Sequence, residues 1–383
     1  MKYIFVTGGV VSGLGKGITA ASLGRLLISR GFHVTVQKLD PYINVDPSLM
    51  SPLEHGEVFI TEDGAECDVD VGHYERFLGR SFTKNNNWTA GKVYNAVINK
   101  ERAGDYNGKT IQVIPHITNE IKSIMQSAVH GEDIIIVEVG GTVGDMEQMA
   151  FIEAIRQFRK ELGTHNSVSI HVTLVPCVHG EIKTKPTQSS VRELSQMGVY
   201  PDVVVCRTTS DKTLDKATRE KIAMFCNLDG PQYVIQNKDC TTIYQVPIMM
   251  KEQGIDNLVI EKLGLTAPDN DFSDWKNMVA EMLKEREVNY TIAIVGDYVA
   301  TEDAYYSITE ALKHAGLACK VGINVKYVYT KDADNTDADL KIFADKSPYG
   351  NRKPRPPQFS SKPYAPSKHF VAMIEKLMKG KKK

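Results

Sequence analysis

The chain has 383 residues, of which 42% are hydrophobic and 24% are charged, as in soluble globular proteins. This length predicts two domains. Lys and Arg total 46 against 47 for Asp and Glu, and the resulting net charge of −1 gives no argument for nucleic acid or an anionic membrane as a partner. The six cysteines are scattered without a C-x-x-C pair, which argues against a disulfide framework and a structural zinc site.

No apolar stretch reaches the roughly 18 residues that a membrane helix needs, and no targeting segment precedes the first predicted strand. We therefore expect a cytoplasmic protein. The one charge run, "KGKKK" at residues 379–383, is typical of a solvated tail.

The first residues predict a strand, a loop, a helix and a second strand. "YIFVT" (3–7) is rich in β-branched and aromatic residues without alternation, as in a buried parallel strand. Ala20, Leu23 and Leu27 then recur at helical spacing, and Gly31 marks the end of that helix. With "HVTVQ" (33–37) as the next strand, this is a βαβ unit.

Strands and helices continue to alternate along the chain. Further strands are predicted at 134–139, 169–175 and 202–206, and a helix over 146–162. The apolar face of that helix is expected to consist of Met149, Ile152, Ile155, Phe158 and Leu162. The alternation predicts an α/β fold, with a mostly parallel sheet covered by helices on both faces.

This pattern ends near residue 265, which predicts a first domain over 1–265 and a linker with a polar helix over 266–289. A new strand–loop–helix pattern begins at residue 290, but 331–368 show little hydrophobic periodicity. We expect 290–383 to be a short, incomplete α/β domain with too few residues for a full core of its own.

The loop "GGVVSGLGKGI" (8–18) has the composition of a phosphate-binding loop. Glycines let backbone N–H groups approach phosphate oxygens, the helix start adds partial positive charge, and Lys16 can neutralise a β- or γ-phosphate. The loop departs from the usual pattern, because five residues separate Gly9 from Gly15 and Gly17 follows the lysine. Since Gly17 has no hydroxyl, magnesium would need oxygen ligands from elsewhere.

Two carboxylates are candidates for that metal. Glu138 ends the most hydrophobic predicted strand and precedes the turn "GGTVGD", where α/β sheets bind ligands. Asp70 lies in "EDGAECDVDVGHYERF". Hard cations prefer carboxylate oxygens, so we expect both residues to bind magnesium. A buried glutamate can also be a purely structural acceptor, but the adjacent glycine turn favours a ligand site.

Three lysines could contact further phosphate groups. In "HGEIKTKPTQSSVREL" (179–194), Lys183 and Lys185 lie in a segment that Pro186 is expected to hold extended. Nearby hydroxyl and amide groups complete the set needed for a second polyphosphate, although such a loop can also be merely solvated. Lys38 follows the second strand close to the glycine loop and could bridge a phosphoryl group in transfer.

Five stretches, in this order, resemble the CTP synthase family: "YIFVTGGVVSGLGKGI", "QKLDPYINVDP", "GAECDVDVGHYERF", "VEVGGTVGDME" and "HGEIKTKPTQSSV". The resemblance covers residues 1–265 and implies a P-loop-type synthetase (amidoligase) domain that aminates UTP at C4 to give CTP. It implies ATP as co-substrate, a 4-phosphorylated UTP intermediate, Mg²⁺ as cofactor, CTP as product inhibitor and a homotetramer built from dimers.

The resemblance also implies roles for individual residues. ATP would be bound by Gly13, Leu14, Gly15, Lys16, Gly17, Ile18, Asp70, Lys238, Asp239 and Cys240. UTP or CTP would be bound by Ser12, Asp145, Met146, Glu147, Lys183, Thr184, Lys185, Pro186, Thr187, Gln188 and Lys221. Magnesium would be held by Asp70 and Glu138, and Lys16 and Lys38 would be catalytic. Gly13 stands where a serine is common in the family; since glycine keeps the backbone donor, little loss is expected.

The family also carries a class I glutaminase domain with a Cys-His-Glu triad. Residues 290–329 resemble its start and 357–374 its end, but "PPQF" (356–359) stands where the family has His-Pro-Glu-Phe, and the segment with the nucleophilic cysteine is absent. Cys319 lies in "HAGLACKVG", which is not a nucleophile elbow. We therefore expect a truncated glutaminase remnant and ammonia rather than glutamine as nitrogen donor.

Two other functions are compatible with parts of the sequence. A P-loop switch ATPase would share the glycine loop, but the stretches "KTKPTQ" and "GHYERF" argue against that function. A catalytically idle subunit that assembles with complete CTP synthase would fit the incomplete second domain, whereas the intact lysine and carboxylate positions argue for activity.

Overall fold

The structure, a computed structural model, describes residues 1–9, 13–209, 212–329, 342–344 and 366–380. The strands are β1 (Lys2–Gly8), β2 (Val34–Asp40), β3 (Phe59–Ile60), β4 (Glu66–Cys67), β5 (Asn87–Thr89), β6 (Ile134–Val139), β7 (Ser167–Leu174), β8 (Cys177–Val178), β9 (Glu181–Ile182), β10 (Val203–Thr208), β11 (Val234–Lys238), β12 (Asn289–Gly296), β13 (Gly322–Tyr329) and β14 (Ile342–Ala344). The α-helices are α1 (Lys16–Ser29), α2 (Pro52–His55), α3 (Val69–Leu78), α4 (Ala90–Ala103), α5 (Thr118–Ser127), α6 (Met149–Leu162), α7 (Lys185–Gln196), α8 (Lys216–Phe225), α9 (Val246–Glu252), α10 (Ile255–Lys262), α11 (Ser273–Met282), α12 (Tyr306–Cys319) and α13 (Lys368–Gly380).

The chain divides into two compact units. The first consists of Met1–Asp46 and Asn85–Ser273, and the second of Pro47–Lys84 and Asp274–Lys383. The domain boundaries expected at residues 265 and 289 stay predictions. The structure adds that residues 47–84 belong to the same unit as the C-terminal part of the chain.

The first unit contains a seven-stranded sheet in the order β11-β10-β7-β1-β6-β2-β5. Every neighbouring pair of strands in this sheet is parallel. The α/β prediction is therefore confirmed. β6 has the predicted bounds, because its run of β-branched residues is buried along its whole length.

Helix α6 packs against the sheet through most of its predicted apolar face. Ile152, Ile155 and Phe158 are buried in the cluster that covers one side of the sheet. The predicted helix begins later than expected, because Met146–Gln148 form a 3-10 turn before it. Met149 was expected on the apolar face, but its side chain is 53% exposed. As the first residue of α6, it lies beyond the part of the helix that packs on the cluster.

In the second unit, β12 pairs in parallel with β13 and β14, while β3 and β4 form an antiparallel pair. A core cluster joins this sheet to α12 and α13 through Tyr290, Ile292, Ala311, Leu312, Ala315, Val321, Phe370 and Ile374. The part of the chain after residue 290 thus buries a small core within the described residues. The polar helix predicted within 266–289 corresponds to α11, which ends at Met282.

Residues 47–84 join this unit through buried polar contacts and one aromatic contact. The Glu57 carboxylate accepts a 2.6 Å hydrogen bond from the backbone N–H of Ser307, next to the first residue of α12. Arg76 donates to the Ser307 hydroxyl at 3.3 Å. The rings of Phe77 and Trp275 lie 5.5 Å apart, centroid to centroid. These contacts link residues that are about 200 or more positions apart in sequence.

Across the described segments, no helix combines the length and the apolar character needed to cross a lipid bilayer.

Candidate nucleotide site

The glycine loop follows β1 and ends at the first turn of α1, as predicted. Gly13 and Gly15 have φ angles of +75° and +82°, a left-handed conformation that favours glycine. Gly15 is the N-cap of α1, and within the described residues no side chain accepts a capping hydrogen bond from that helix start. The backbone N–H groups of the first turn therefore have the arrangement that binds phosphate at helix N-termini. Ser12 lies outside the described residues.

Lys16 extends from the start of α1 toward the loop that follows β6. Its side chain crosses Gly8, where an added Cβ would lie 2.7 Å from the lysine Cδ. Its ammonium donates a 2.8 Å hydrogen bond to the carbonyl of Gly141, and the residue is 8% exposed. The N–H of Val143 also donates to the Gly8 carbonyl at 2.9 Å. The glycine loop and the "GGTVGD" turn, which are separate motifs in the sequence, are thus in direct contact in the structure.

Lys38 and Glu138 form a buried ion pair at the ends of adjacent strands. They are register partners on β2 and β6, with Lys38 Nζ 2.8 Å from Glu138 Oε2. Their side chains are 6% and 0% exposed. A charge this deeply buried needs a partner, and each supplies it to the other. Both residues lie toward the carboxyl edge of the sheet, and their roles toward a ligand stay predictions.

Asp40 is a third charged residue beside the Lys38–Glu138 pair, and it was not among the residues predicted from the sequence. Its Oδ1 lies 3.7 Å from Lys38 Nζ, and its Oδ2 accepts a 2.8 Å hydrogen bond from Asn87. Gly140 leaves room for it, because a Cβ there would lie 2.8 Å from Oδ1. The sequence could have indicated Asp40, because side chains two residues apart on a strand share a face, and Asp40 is two residues after Lys38.

The donor set at this position fits a magnesium ion. The carboxylates of Glu138 and Asp40 are hard oxygen donors next to a loop that can hold phosphate. Within the described ranges, no group of three or more His, Cys, Asp or Glu side chains is arranged around one metal position. A magnesium ion here would need water and substrate phosphate oxygens to complete its shell, as is common for this ion.

Asp70, the other predicted magnesium ligand, lies in the second unit. It is in the first turn of α3, and its backbone N–H donates to the N-cap side chain of Asp68 at 2.9 Å. The pairing of Asp70 with Glu138 stays a prediction.

The segment predicted to hold a second polyphosphate differs from the expected form. Pro186 does not hold it extended: it lies in the first turn of α7. Proline is well tolerated there, because the first turn of a helix does not need its N–H groups for internal hydrogen bonds. Lys183 and Lys185 are exposed, and Lys183 forms an ion pair with Glu181.

The polar residues of that segment are mostly used within the fold. Gln188 donates to the Thr184 hydroxyl at 3.0 Å. The hydroxyls of Thr187 and Thr173 lie 3.0 Å apart, which joins α7 to β7. Lys183 and Lys185, in contrast, stay exposed and accessible to a ligand.

The remaining predicted residues lie in turns and on a helix of the first unit. Asp145 accepts from the backbone N–H of Thr142 at 3.2 Å, and the neighbouring Met146 and Glu147 are exposed. Lys221 is exposed on α8.

The stretch Lys238–Cys240 follows β11. Lys238 donates to the Thr213 hydroxyl at 2.8 Å, and Asp239 forms an ion pair with Arg207. Burial raises the pKa of the Cys240 thiol, so this group is a neutral thiol at physiological pH.

The strand–glycine loop–helix unit in a parallel sheet defines a nucleotide-binding α/β protein of the P-loop type. Residues 2–265 match the family model described as the CTP synthase N-terminus, and the chain belongs to that family.

The chain is 55% identical over 345 residues to the CTP synthase of Clostridium acetobutylicum. The aligned region covers 88% of this chain and 64% of the relative. It is 56% identical over 331 residues to the CTP synthase of Carboxydothermus hydrogenoformans, covering 85% and 61%. The chain thus spans less than two thirds of the length of these curated relatives. Among solved structures, the 54 kDa protein of the signal recognition particle from Aeropyrum pernix in complex with GDP matches with a TM-score of 0.32 at 11% identity, over 82% of this chain and 53% of that one. Similarity this low carries no conclusion about function.

Proposed function

We propose that this chain catalyses the ATP-dependent amination of UTP at C4, giving CTP, with ammonia as the nitrogen donor. The observation that carries the proposal is the grouping of Lys16, Lys38 and Glu138 beside the glycine loop. The family match over residues 2–265 supplies the reaction class.

The chemistry requires a better leaving group at C4 of uracil. Transfer of the γ-phosphoryl group of ATP to the C4 oxygen makes a phosphate ester, and ammonia then attacks C4 and expels phosphate. Charge builds up on the phosphoryl oxygens during transfer, and preorganised cations stabilise it. Lys16 and Lys38 supply two such ammonium groups. Lys16 would exchange its hydrogen bond to the Gly141 carbonyl for one to a phosphate oxygen.

Glu138 and, as proposed from the sequence, Asp70 would hold magnesium. When bound, magnesium neutralises the β- and γ-phosphate oxygens of the nucleotide. The Lys38 ammonium contacts the carboxylates of both Glu138 and Asp40. Its positive charge compensates these two buried negative charges.

The uridine nucleotide would lie against the first turn of α7. Lys183 and Lys185 are exposed there and can pair with its phosphate groups. The proposed set is completed by Ser12, Asp145 to Glu147 and Lys221. The stretch Lys238–Cys240 would line the adenine of ATP. CTP would compete at the uridine site as a product inhibitor.

Ammonia is proposed as the donor because the residues of a glutaminase triad are not in place in the sequence. Pro356 and Gln358 stand where the family has histidine and glutamate, and both lie outside the described residues. Proline has no side-chain acceptor, and a neutral glutamine cannot stabilise an imidazolium. A homotetramer and magnesium as cofactor remain proposals from the family resemblance, and a cytoplasmic location remains a proposal from the sequence.

The test is the stoichiometry of ATP hydrolysis. With ammonium, magnesium and UTP, one phosphate should be released per CTP formed, and phosphate release should fall to background when UTP is omitted. ATP hydrolysis that is indifferent to UTP would instead favour a switch ATPase. Binding of both nucleotides without turnover would favour an idle subunit.

A further inference from the structure

A buried chain of three hydrogen-bonding side chains runs between β1, β7 and α7. His171 Nδ1 lies 2.8 Å from the Thr7 hydroxyl, and His171 Nε2 lies 2.8 Å from the Ser190 hydroxyl. Thr7 and His171 are 0% exposed and Ser190 is 3% exposed. Thr7 and His171 are register partners on adjacent parallel strands, so their side chains share one face of the sheet.

The imidazole in this chain is neutral. Burial, together with the nearby charge of Lys16, lowers the pKa of His171 to about 3. A neutral imidazole has one N–H donor and one acceptor nitrogen. One hydroxyl therefore donates to the ring and the other accepts from it, and His171 connects two groups of opposite hydrogen-bonding role.

One end of the chain supports the start of the glycine loop. Thr7 immediately precedes Gly8, which lies against the stem of Lys16. A Cβ on Gly9 would lie 1.9 Å from the Ser190 hydroxyl, so the backbone of Gly9 rests directly on Ser190. Because the two residues are in contact, a movement of Ser190 is transmitted to the backbone of the loop, and a loop that is held in place restricts the movement of Ser190.

The other end lies on α7, the helix whose first turn carries Lys185. Ser190 is five residues further along that helix. Gly9 and Ser190 are 181 positions apart in sequence, whereas Thr7 is connected to Ser190 through a single imidazole.

We propose that His171 is a positioning residue that couples the ATP loop to the uridine-nucleotide helix, so that each nucleotide raises the affinity of the site for the other. This inference rests on the proposed function, because it takes α7 to contact UTP. Phosphate bound at the loop fixes the backbone at Gly8 and Gly9. Through Thr7, His171 and Ser190, this fixes the rotation of α7 about its own axis and the direction of Lys185 in its first turn. By linkage, UTP on α7 stabilises the loop equally.

The experiment measures both affinities of the full chain by calorimetry. The Kd for UTP is determined with and without a non-hydrolysable ATP analogue, and the Kd for the analogue with and without UTP. In the wild type, we expect each ligand to tighten the other by about 5-fold or more, the usual lower range of coupling between sites. Thr7→Val and Ser190→Ala should reduce this factor to about 1 and leave each single-ligand Kd within about twofold.

Three further variants keep the test sharp. His171→Gln should lose the coupling while keeping a polar group in the cavity. Ser169→Ala is the matched control, because Ser169 lies two residues earlier on β7, is buried, and its hydroxyl has no hydrogen-bond partner within the described residues. It should keep the wild-type coupling. Thr173→Val breaks another contact between β7 and α7 without touching the loop, and should also keep it.

The same effect should appear in turnover. In Ser190→Ala, the KM for UTP should no longer fall as ATP is raised, while kcat at saturation of both nucleotides changes little. A histidine that only fills the core would instead change stability and leave the coupling factor intact, and that result overturns the inference. Coupling that is absent in the wild type also overturns it. If the wild type binds no UTP at all, the proposed function fails and the inference falls with it.

Discussion

The ammonium of Lys38 lies 2.8 Å from the buried carboxylate of Glu138, its register partner on the neighbouring strand. This pair is at the carboxyl edge of the sheet, beside the turn whose Gly141 carbonyl accepts from Lys16. Lys16 and Lys38 thereby contact two residues of one short segment, Gly141 and Glu138. The first two predictions test what each charge does there.

Replacing Lys16 by alanine should abolish ATP-dependent CTP formation while the fold survives. The loss of a charge contact made to the transferring phosphoryl group is expected to reduce kcat by about 100- to 1000-fold. Initial rates at saturating substrates measure this, and circular dichroism checks the fold. Lys160→Ala is the control, because Lys160 is exposed on α6 and has no ion pair within the described residues. Near wild-type activity in Lys16→Ala would refute the role given to the loop.

Neutralising the proposed metal ligands should raise the magnesium requirement. Glu138→Gln and Asp70→Asn should each increase the magnesium concentration for half-maximal activity by about 10-fold or more. Asp40→Asn should act in the same direction if the missed carboxylate contributes to the metal environment. Glu161→Gln, which alters only a surface pair with Lys122, is the control. Magnesium activation curves that coincide for all four variants would exclude these carboxylates as ligands.

Much of the site was predictable because its residues lie in runs with strong local signals. β6 has the predicted bounds since an unbroken β-branched run has few other ways to be buried. The glycine loop was recognisable because closely spaced glycines and Lys16 fall between a strand pattern and a helix pattern, and Gly13 and Gly15 indeed take the left-handed conformation that glycine allows.

The rest depends on contacts between residues far apart in sequence. His171 reads as a core residue of "SIHVTLV", because its partners Thr7 and Ser190 lie 164 and 19 positions away. Pro186 was expected to hold its segment extended, but a proline is equally suited to the first turn of a helix, and the sequence does not show where that turn begins. The packing of residues 47–84 with the C-terminal part rests on Glu57 and Arg76, whose contact with Ser307 has no local signature.

The stability of the first unit should depend on pH through His171. Its pKa is about 3 when folded and has an ordinary value of 6.5. Below pH 6.5 the unfolded chain takes up a proton that the folded chain excludes, so this contribution to stability is lost as the pH falls from 6.5 toward 3. The slope from this group is at most about 1.4 kcal/mol per pH unit.

Urea unfolding of the wild type and His171→Gln between about pH 4.5 and 6.5 measures that contribution. The variant should show the shallower dependence of the unfolding free energy on pH. Equal slopes would mean that the imidazole already takes up a proton in the folded state.

Nucleotides should shift the chain toward larger assemblies. Met146, which belongs to the proposed uridine set, and the nearby Met149 expose 82% and 53% of their surface and are available for contact with another chain. Sedimentation velocity should show a dimer or larger species that grows with ATP and UTP, because a ligand that binds an assembled site stabilises it by mass action. A monomer at saturating concentrations of both nucleotides would contradict this.

The most direct measurement compares the two nitrogen donors on one preparation of the chain. CTP is quantified by chromatography after incubation with ATP, UTP and magnesium, either with an ammonium salt or with glutamine and no added ammonia. The account predicts CTP formation with ammonium that rises toward alkaline pH as more of the nitrogen becomes free NH₃, and none above background with glutamine, whether or not GTP is added. CTP formed from glutamine would contradict the assignment of ammonia as donor, and no CTP from either donor would contradict the proposed activity itself.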